Sequence, residues 1–180
     1  MEFVLKTVWF LLPSGFANMA PIVAAKLLPR WTAPVDYDRT FGEIRIFGDH
    51  KTIRGIVSGL LVAAFVFYLQ RLAYARYADV RKISFFDYGD HSLWLGALLG
   101  AGSLGGDLVK SFVKRRIGIA PGHSWIPFDQ IDWMIGTLFV AAFIVPIDIR
   151  FVLASVLLAL GLSMLIKWVG YLLRLNETPI

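Results

Sequence analysis

The sequence predicts an all-α integral membrane protein with five transmembrane helices, and three observations lead there. Of its 180 residues 57% are hydrophobic, and mean hydropathy is +0.65, well above that of an ordinary globular chain. The apolar residues gather into five runs, at about 3–28, 56–75, 92–114, 133–145 and 151–173. Most of these runs reach the ~20 residues a bilayer core demands. What lies between is short and polar, so residues 1–180 read as a single membrane domain.

Five spans put the two termini on opposite sides. Near the span ends, nine Lys and Arg lie in loops 29–54 and 115–132 and in the tail: Arg30, Arg39, Arg45, Lys51, Arg54, Lys114, Arg115, Arg116 and Arg174. Six face the other way: Lys6, Arg71, Arg76, Arg81, Lys82 and Arg150. By the positive-inside rule the N-terminus is outside, and both loops and the C-terminus are cytoplasmic. Tyr74, Tyr77, Trp94, Trp125, Trp133, Trp168 and Tyr171 sit near span ends, where interfacial aromatics belong.

Composition also excludes several chemistries. With no cysteine there are neither disulfides nor thiolate metal sites, and the three histidines are too scattered for a zinc-binding spacing. A net charge of +5 suits loops facing anionic membrane lipids better than a nucleic-acid partner.

Taken in order, the first run is too long and too interrupted for a cleavable signal, whose apolar region runs ~7–15 residues. It contains Pro13, Gly15, Asn18, Pro21 and Lys26. Such breakers survive in a membrane where neighbouring helices or a cavity satisfy the freed backbone groups. The run is thus either a kinked packing helix or one whose Asn18 and Lys26 line a cavity opening at the Lys26 end. In the next loop TFGEIRIFG alternates well enough to predict a short β-hairpin. Gly48 to Gly55 then brings Lys51, Thr52 and Arg54 to a helix start, an arrangement suited to phosphate or simply a basic loop that fixes topology. The second run, beyond Ser58, Gly59 and Gln70, reads as scaffold. The fourth, at ~1.5 Å per residue, falls short of a ~30 Å core and must borrow length from 126–131. In the fifth, the one interior cation, Lys167, can snorkel. The tail from Arg174 is too short to form a domain.

Charge concentrates in the third run. Ser103, Asp107, Lys110, Ser111 and Lys114 recur at spacings of three and four and share one helix face. Asp107 lies about 12 Å inside Arg115, near phospholipid phosphate depth, where a carboxylate needs a cation beside it. Lys110 and Mg²⁺ are the two candidates. Asp129 and Asp132 follow at the entry of the fourth span, as hard oxygen ligands for Mg²⁺ with substrate phosphates or as charges stabilising a helix N-terminus. His123, in a Pro-Gly-His turn, is either a hydrogen-bonded loop residue or a base. Carboxylates beside many cations at headgroup level suit a reaction between a water-soluble polyphosphate and a lipid phosphate.

The run S-F-V-K-R-R, followed by P-G-H-S-W-I-P-F-D-Q-I-D, resembles the signature of phosphatidate cytidylyltransferases. N-M-A-P-I, F-G-D-H-K-T-I-R-G and G-S-L-G-G-D-L-V-K-S resemble the archaeal branch of that family, the CDP-archaeol synthases. The resemblance implies cytidylyl transfer from CTP to an isoprenoid ether-lipid phosphate, 2,3-bis-O-geranylgeranyl-sn-glycerol 1-phosphate, with release of pyrophosphate. It implies Mg²⁺ held by Asp107, Asp129 and Asp132, and catalytic roles for these three and Lys110. Phosphate or substrate contacts fall to Lys51, Thr52, Arg54, Ser111, Lys114, Arg115 and Arg116, with His123 in the family turn and Asn18 and Lys26 nearby. The chain departs from the bacterial signature: Ile117–Ala120 lacks its Lys-Asp step, Ser124-Trp125 follows His123 where glycines stand, and Gln130 replaces an arginine. One contact is then expected from Lys51 or Arg54 instead. The competing class is a small anion transporter or channel using the same polar stripe.

Overall fold

The computed structural model describes residues 2–121, 123–145 and 147–172, with positions 163, 165–167 and 169–172 described through their backbone alone. The side chain of Lys167 and the tail, including Arg174, lie outside what is described. Among the described residues, five longer helices and one short one carry the fold: α1 (Glu2–Leu27), α2 (Ile53–Arg76), α3 (Ala78–Lys82), α4 (Trp94–Arg116), α5 (Phe128–Ala141) and α6 (Ile149–Leu172). Among the described residues, α1 and α2 are long and apolar enough to cross a membrane by length and composition alone. α4 is the hub, packed against α1, α2 and α5, while α6 lies on α5 and α1.

The breakers in α1 are absorbed by its neighbours. Pro13 has no N–H to give the Trp9 carbonyl, and the Gln70 amide of α2 takes its place at 2.5 Å. Ser103 of α4 donates to the Ser14 carbonyl at 3.0 Å, and Ser14 returns a bond of 3.2 Å to the Leu99 carbonyl. Gln70 and Ser103, both fully enclosed, therefore serve to satisfy α1 rather than a substrate. Asn18 lines an apolar groove between α1 and α6 and Lys26 is exposed, so among the described residues no cavity joins the two.

The fourth span needs correcting at both ends. α5 begins at Phe128, five residues before the expected Trp133, and stops at Ala141, with turns filling 142–145. Borrowed length is real, but the helix still has only 14 residues. Trp133 is 8% exposed and belongs to the core, not to an interfacial belt, whereas Trp94 is 76% exposed. What seats α5 is glycine. A Cβ at Gly106 would overlap the Asp132 carbonyl oxygen, and one at Gly136 the Gly102 carbonyl oxygen, so here the two helices touch backbone to backbone.

The predicted hairpin exists, as β1 (Thr40–Phe41) paired antiparallel with β2 (Ile44–Arg45). Gly42, at φ +67°, makes its turn. The loop holding it is organised around Asp36, which accepts from Arg45 at 2.6 Å and from the Phe47 and Gly48 amides at 3.0 and 3.2 Å. Burial pushes this carboxyl up, but the guanidinium and the two amides outweigh it and hold it down at about 2. At the opposite end of the bundle Tyr88 is buried between Phe67 and Phe86, with ring centroids 5.2 and 4.6 Å away.

Candidate active site

The last three turns of α4, the first two of α5 and the end of the hairpin loop meet at one place. Helical spacing puts Asp107, Lys110 and Lys114 on a common α4 face. The glycine contact sets α5 close enough for its Asp129 and Asp132 to reach that face. The Lys110 ammonium lies 3.1 Å from Asp107 Oδ1, 3.1 Å from Asp129 Oδ1 and 2.7 Å from Asp132 Oδ2. Asp107 is also paired with Lys51, which arrives from the hairpin loop. Lys114 lies 3.1 Å from both Asp129 oxygens and donates to the His123 carbonyl at 2.5 Å. The Trp125 amide donates to Asp129 at 2.5 Å, tying the 117–127 turn to the helix it precedes.

Two cavities flank this cluster. A polar one of about 220 Å³ is lined by Phe47, Gly48, His50, Lys51, Lys110, Ser111, Lys114, Arg115 and Pro121. An apolar groove of about 530 Å³ runs between α4 and α5, from Trp125, Phe128 and Val113 to Phe139 and Val140, and includes Lys110 and Asp132. Among the described residues lining them, Lys110 alone borders both. Arg115 is 8% exposed, and its Nε and Nη1 have no hydrogen-bond partner. A buried guanidinium left in that state is costly unless an anion completes it.

The predicted residues thus divide. Asp107, Lys110, Asp129, Asp132, Lys51, Ser111, Lys114 and Arg115 come together, although the Ser111 hydroxyl is already bonded to the Asp107 carbonyl at 2.8 Å. Thr52 instead caps α2, its hydroxyl accepting from the Gly55 amide at 3.2 Å. Arg54 donates to the Leu28 carbonyl at 2.6 Å. Neither lines the polar cavity, because the helix start that looked ready for phosphate is closed by its own cap. Arg116 points away as well. It lies over Phe112 at 4.4 Å and near Phe41 at 5.3 Å, and it donates to the Arg45 carbonyl at 3.1 Å, clamping the hairpin to α4. His123 contributes its carbonyl and is otherwise exposed, and Asn18 and Lys26 stand apart. Phe47, His50 and Pro121 were not singled out, since turn residues carry no periodicity to mark the cavity they line.

No ready-made cage of metal ligands occurs among the described residues. The donor set nevertheless fits Mg²⁺ in kind: three hard carboxylates from two helices converge on one point. That point is taken by an ammonium, because three neighbouring anions need a cation to lie so close.

Known proteins bear directly on this arrangement. A family model described as CarS-like, CDP-archaeol synthase, matches residues 1–180. The CDP-archaeol synthase of Pyrococcus furiosus is 33% identical over 187 residues, covering 99% of each chain. That of Pyrobaculum aerophilum is 33% identical over 176 residues, covering 96% of this chain and 98% of its own. A solved structure described as an intramembrane enzyme for archaeal membrane lipids biosynthesis superimposes with a TM-score of 0.75 at 27% identity. It covers 91% of this chain and 94% of that one. With its whole length matched and its charged cluster built from the motif residues, this chain belongs to the CDP-archaeol synthase family.

Proposed function

We propose that this CTP-dependent lipid cytidylyltransferase, a membrane protein, acts on an unsaturated isoprenoid ether-lipid phosphate, 2,3-bis-O-geranylgeranyl-sn-glycerol 1-phosphate, and releases pyrophosphate. The observation that carries the reading is the junction at Lys110, where a polar cavity rich in cations meets an apolar groove. CTP occupies the first, its triphosphate among Lys51, Lys114 and the unpartnered Arg115 guanidinium. An isoprenoid chain lies along the second, with the lipid phosphate at its charged end. A lipid-phosphate oxygen then attacks the α-phosphorus of CTP, and the bond to the β-phosphate oxygen breaks. The phosphomonoester, with a second pKa of ~6, is already largely ionised, so no general base is required. The cations hold two mutually repelling anions in line, which is most of what phosphoryl transfer asks of a protein. Asp107, Asp129 and Asp132 would hold Mg²⁺, which supplies charge neutralisation at the phosphate oxygens.

The five long helices are read as five spans within one membrane domain, with the N-terminus outside and the site open to the cytoplasm. The charge balance of the loops and the position of the cluster at one end of α4 and α5 support that orientation. An anion channel finds no such support, since a conducting path needs polar lining along its length. Incubating purified protein with labelled CTP, Mg²⁺ and the ether-lipid phosphate tests the reading. Asp107→Asn and Asp132→Asn are expected to lose ~10²-fold or more in rate. Equal product from wild type and both variants would refute the assignment of these carboxylates.

A further inference from the structure

We propose that Lys110 is a resident counter-ion that the site exchanges for a divalent cation, and that this exchange turns the same ammonium from carboxylate to substrate phosphate. The proposal rests on the reading above that Asp107, Asp129 and Asp132 hold Mg²⁺.

An ammonium has three N–H donors and no acceptor. In this structure each of the three carboxylates lies within 3.1 Å of Lys110 Nζ, so the group is saturated by its neighbours. The Lys110 side chain is 14% exposed, and those of Asp107, Asp129 and Asp132 are 18, 20 and 6% exposed, so water screens the set poorly. A magnesium ion sits about 2.0–2.1 Å from its oxygen ligands. Bound by these same three oxygens, it would take the point on which they converge, where the ammonium now stands. Two cations between the same three oxygens would repel one another where water screens them poorly, so the metal displaces the ammonium.

The displaced ammonium has somewhere to go. Lys110 also lines the polar cavity beside Ser111, Lys114 and Arg115. Rotation about its own side-chain bonds suffices to face that cavity, with α4 unmoved. Lys51 stands in the same relation to Asp107 and lines the same cavity. A metal on the Asp107 oxygen that Lys110 vacates also weakens the hold of the other oxygen on Lys51, so both ammonium groups become available to the space that takes the triphosphate. The converse also holds: a nucleotide that draws Lys110 and Lys51 towards its phosphates uncovers the carboxylates. Metal and nucleotide consequently strengthen each other's binding, and each alone competes with the internal lysines.

Mn²⁺ alone, without nucleotide or lipid, is the probe, titrated into detergent-purified protein while electron paramagnetic resonance reads the free ion. Lys110→Met keeps the side-chain bulk and removes the charge. It is expected to bind Mn²⁺ about tenfold more tightly than wild type, within the usual span of coupling between sites. The same variant is expected to show weaker enhancement of Mn²⁺ binding by CTP. Equal or weaker Mn²⁺ binding by Lys110→Met, with wild type binding Mn²⁺ in the presence of CTP, would overturn the exchange and leave the metal assignment standing. If wild type binds no Mn²⁺ even with CTP, the metal assignment fails and the exchange fails with it. Should Lys110→Met lack the helical circular dichroism of wild type, Lys51→Met decides the matter. Tighter Mn²⁺ binding there supports the exchange, and unchanged or weaker binding overturns it.

Discussion

Gly106 is where one methyl group should do most damage. Its Cβ would overlap the Asp132 carbonyl oxygen, and would lie 3.0 Å from the Asp132 carbonyl carbon and 3.2 Å from Gly136 Cα. These are rigid backbone atoms, so relief requires α5 to move away from α4. Bringing the carbon contacts to ordinary van der Waals range takes about half an ångström, and relieving the oxygen takes nearer to ~1 Å. Overpacking of this kind costs about 1–3 kcal/mol. The same movement stretches the 2.7 Å contact between Lys110 and Asp132 beyond hydrogen-bond length. Misplacement by ~1 Å can lower a rate ~10²-fold. Gly106→Ala should therefore melt several degrees below wild type and lose most of its cytidylyl transfer. Gly161→Ala in α6, where nothing lies within 4 Å of the added carbon, is the control and should keep its rate and lose no stability, since alanine favours a helix over glycine. Identical melting temperature and rate for the two variants would refute the view that main-chain contact between α4 and α5 sets the site.

The cap on α2 gives a second expectation: Thr52→Ala should lower stability by about 1 kcal/mol in a denaturant titration, while the KM for CTP stays within twofold of wild type. Asp36 supplies a third. Its carboxyl is held at about 2 against an ordinary 3.8, so its contribution, about 2 kcal/mol, is complete above pH ~4 and is lost as pH falls through the folded value. Between pH 5 and 2, Asp36→Asn should lose less stability than wild type; parallel losses would show that the Arg45 pair does not govern the loop's acid response.

Much of the fold was legible because hydrocarbon imposes a simple grammar: long apolar runs, and paired partners for anything polar. The sites of α1, α2, α4 and α6 followed from that, as did the hairpin from alternation around Gly42. The bounds of α5 did not, since its apolar residues continue past Ala141 into turns while its first turn holds Asp129 and Asp132. Spacing put Asp107, Lys110 and Lys114 on one face and marked Asp129 and Asp132 as paired carboxylates at the next helix start, and the family resemblance assigned all three carboxylates to Mg²⁺. The Asp107–Lys110 pair was within reach of that spacing, whereas the contacts of Lys110 with Asp129 and Asp132 and of Lys51 with Asp107 were not. Thr52, Arg54 and Arg116 carry the residue types of phosphate ligands, yet Thr52 is occupied by the amide of its own helix cap, and the two arginines by carbonyls of Leu28 and Arg45 that only the folded chain brings near. Asp36 passed unnoticed because its importance depends on Arg45, Phe47 and Gly48 folding back over it.

That Lys110 alone, among the described residues, borders both cavities also bears on traffic when nucleotide and lipid phosphate divide between them as proposed. One reactant is hydrophilic and the other greasy, and each has its own doorway, so filling either leaves the other passable. Loading in random order follows, with initial-rate lines that intersect. On the proposed reading the finished lipid would drift off within the bilayer and the small anion return to the aqueous phase, neither waiting for the other to clear a common exit.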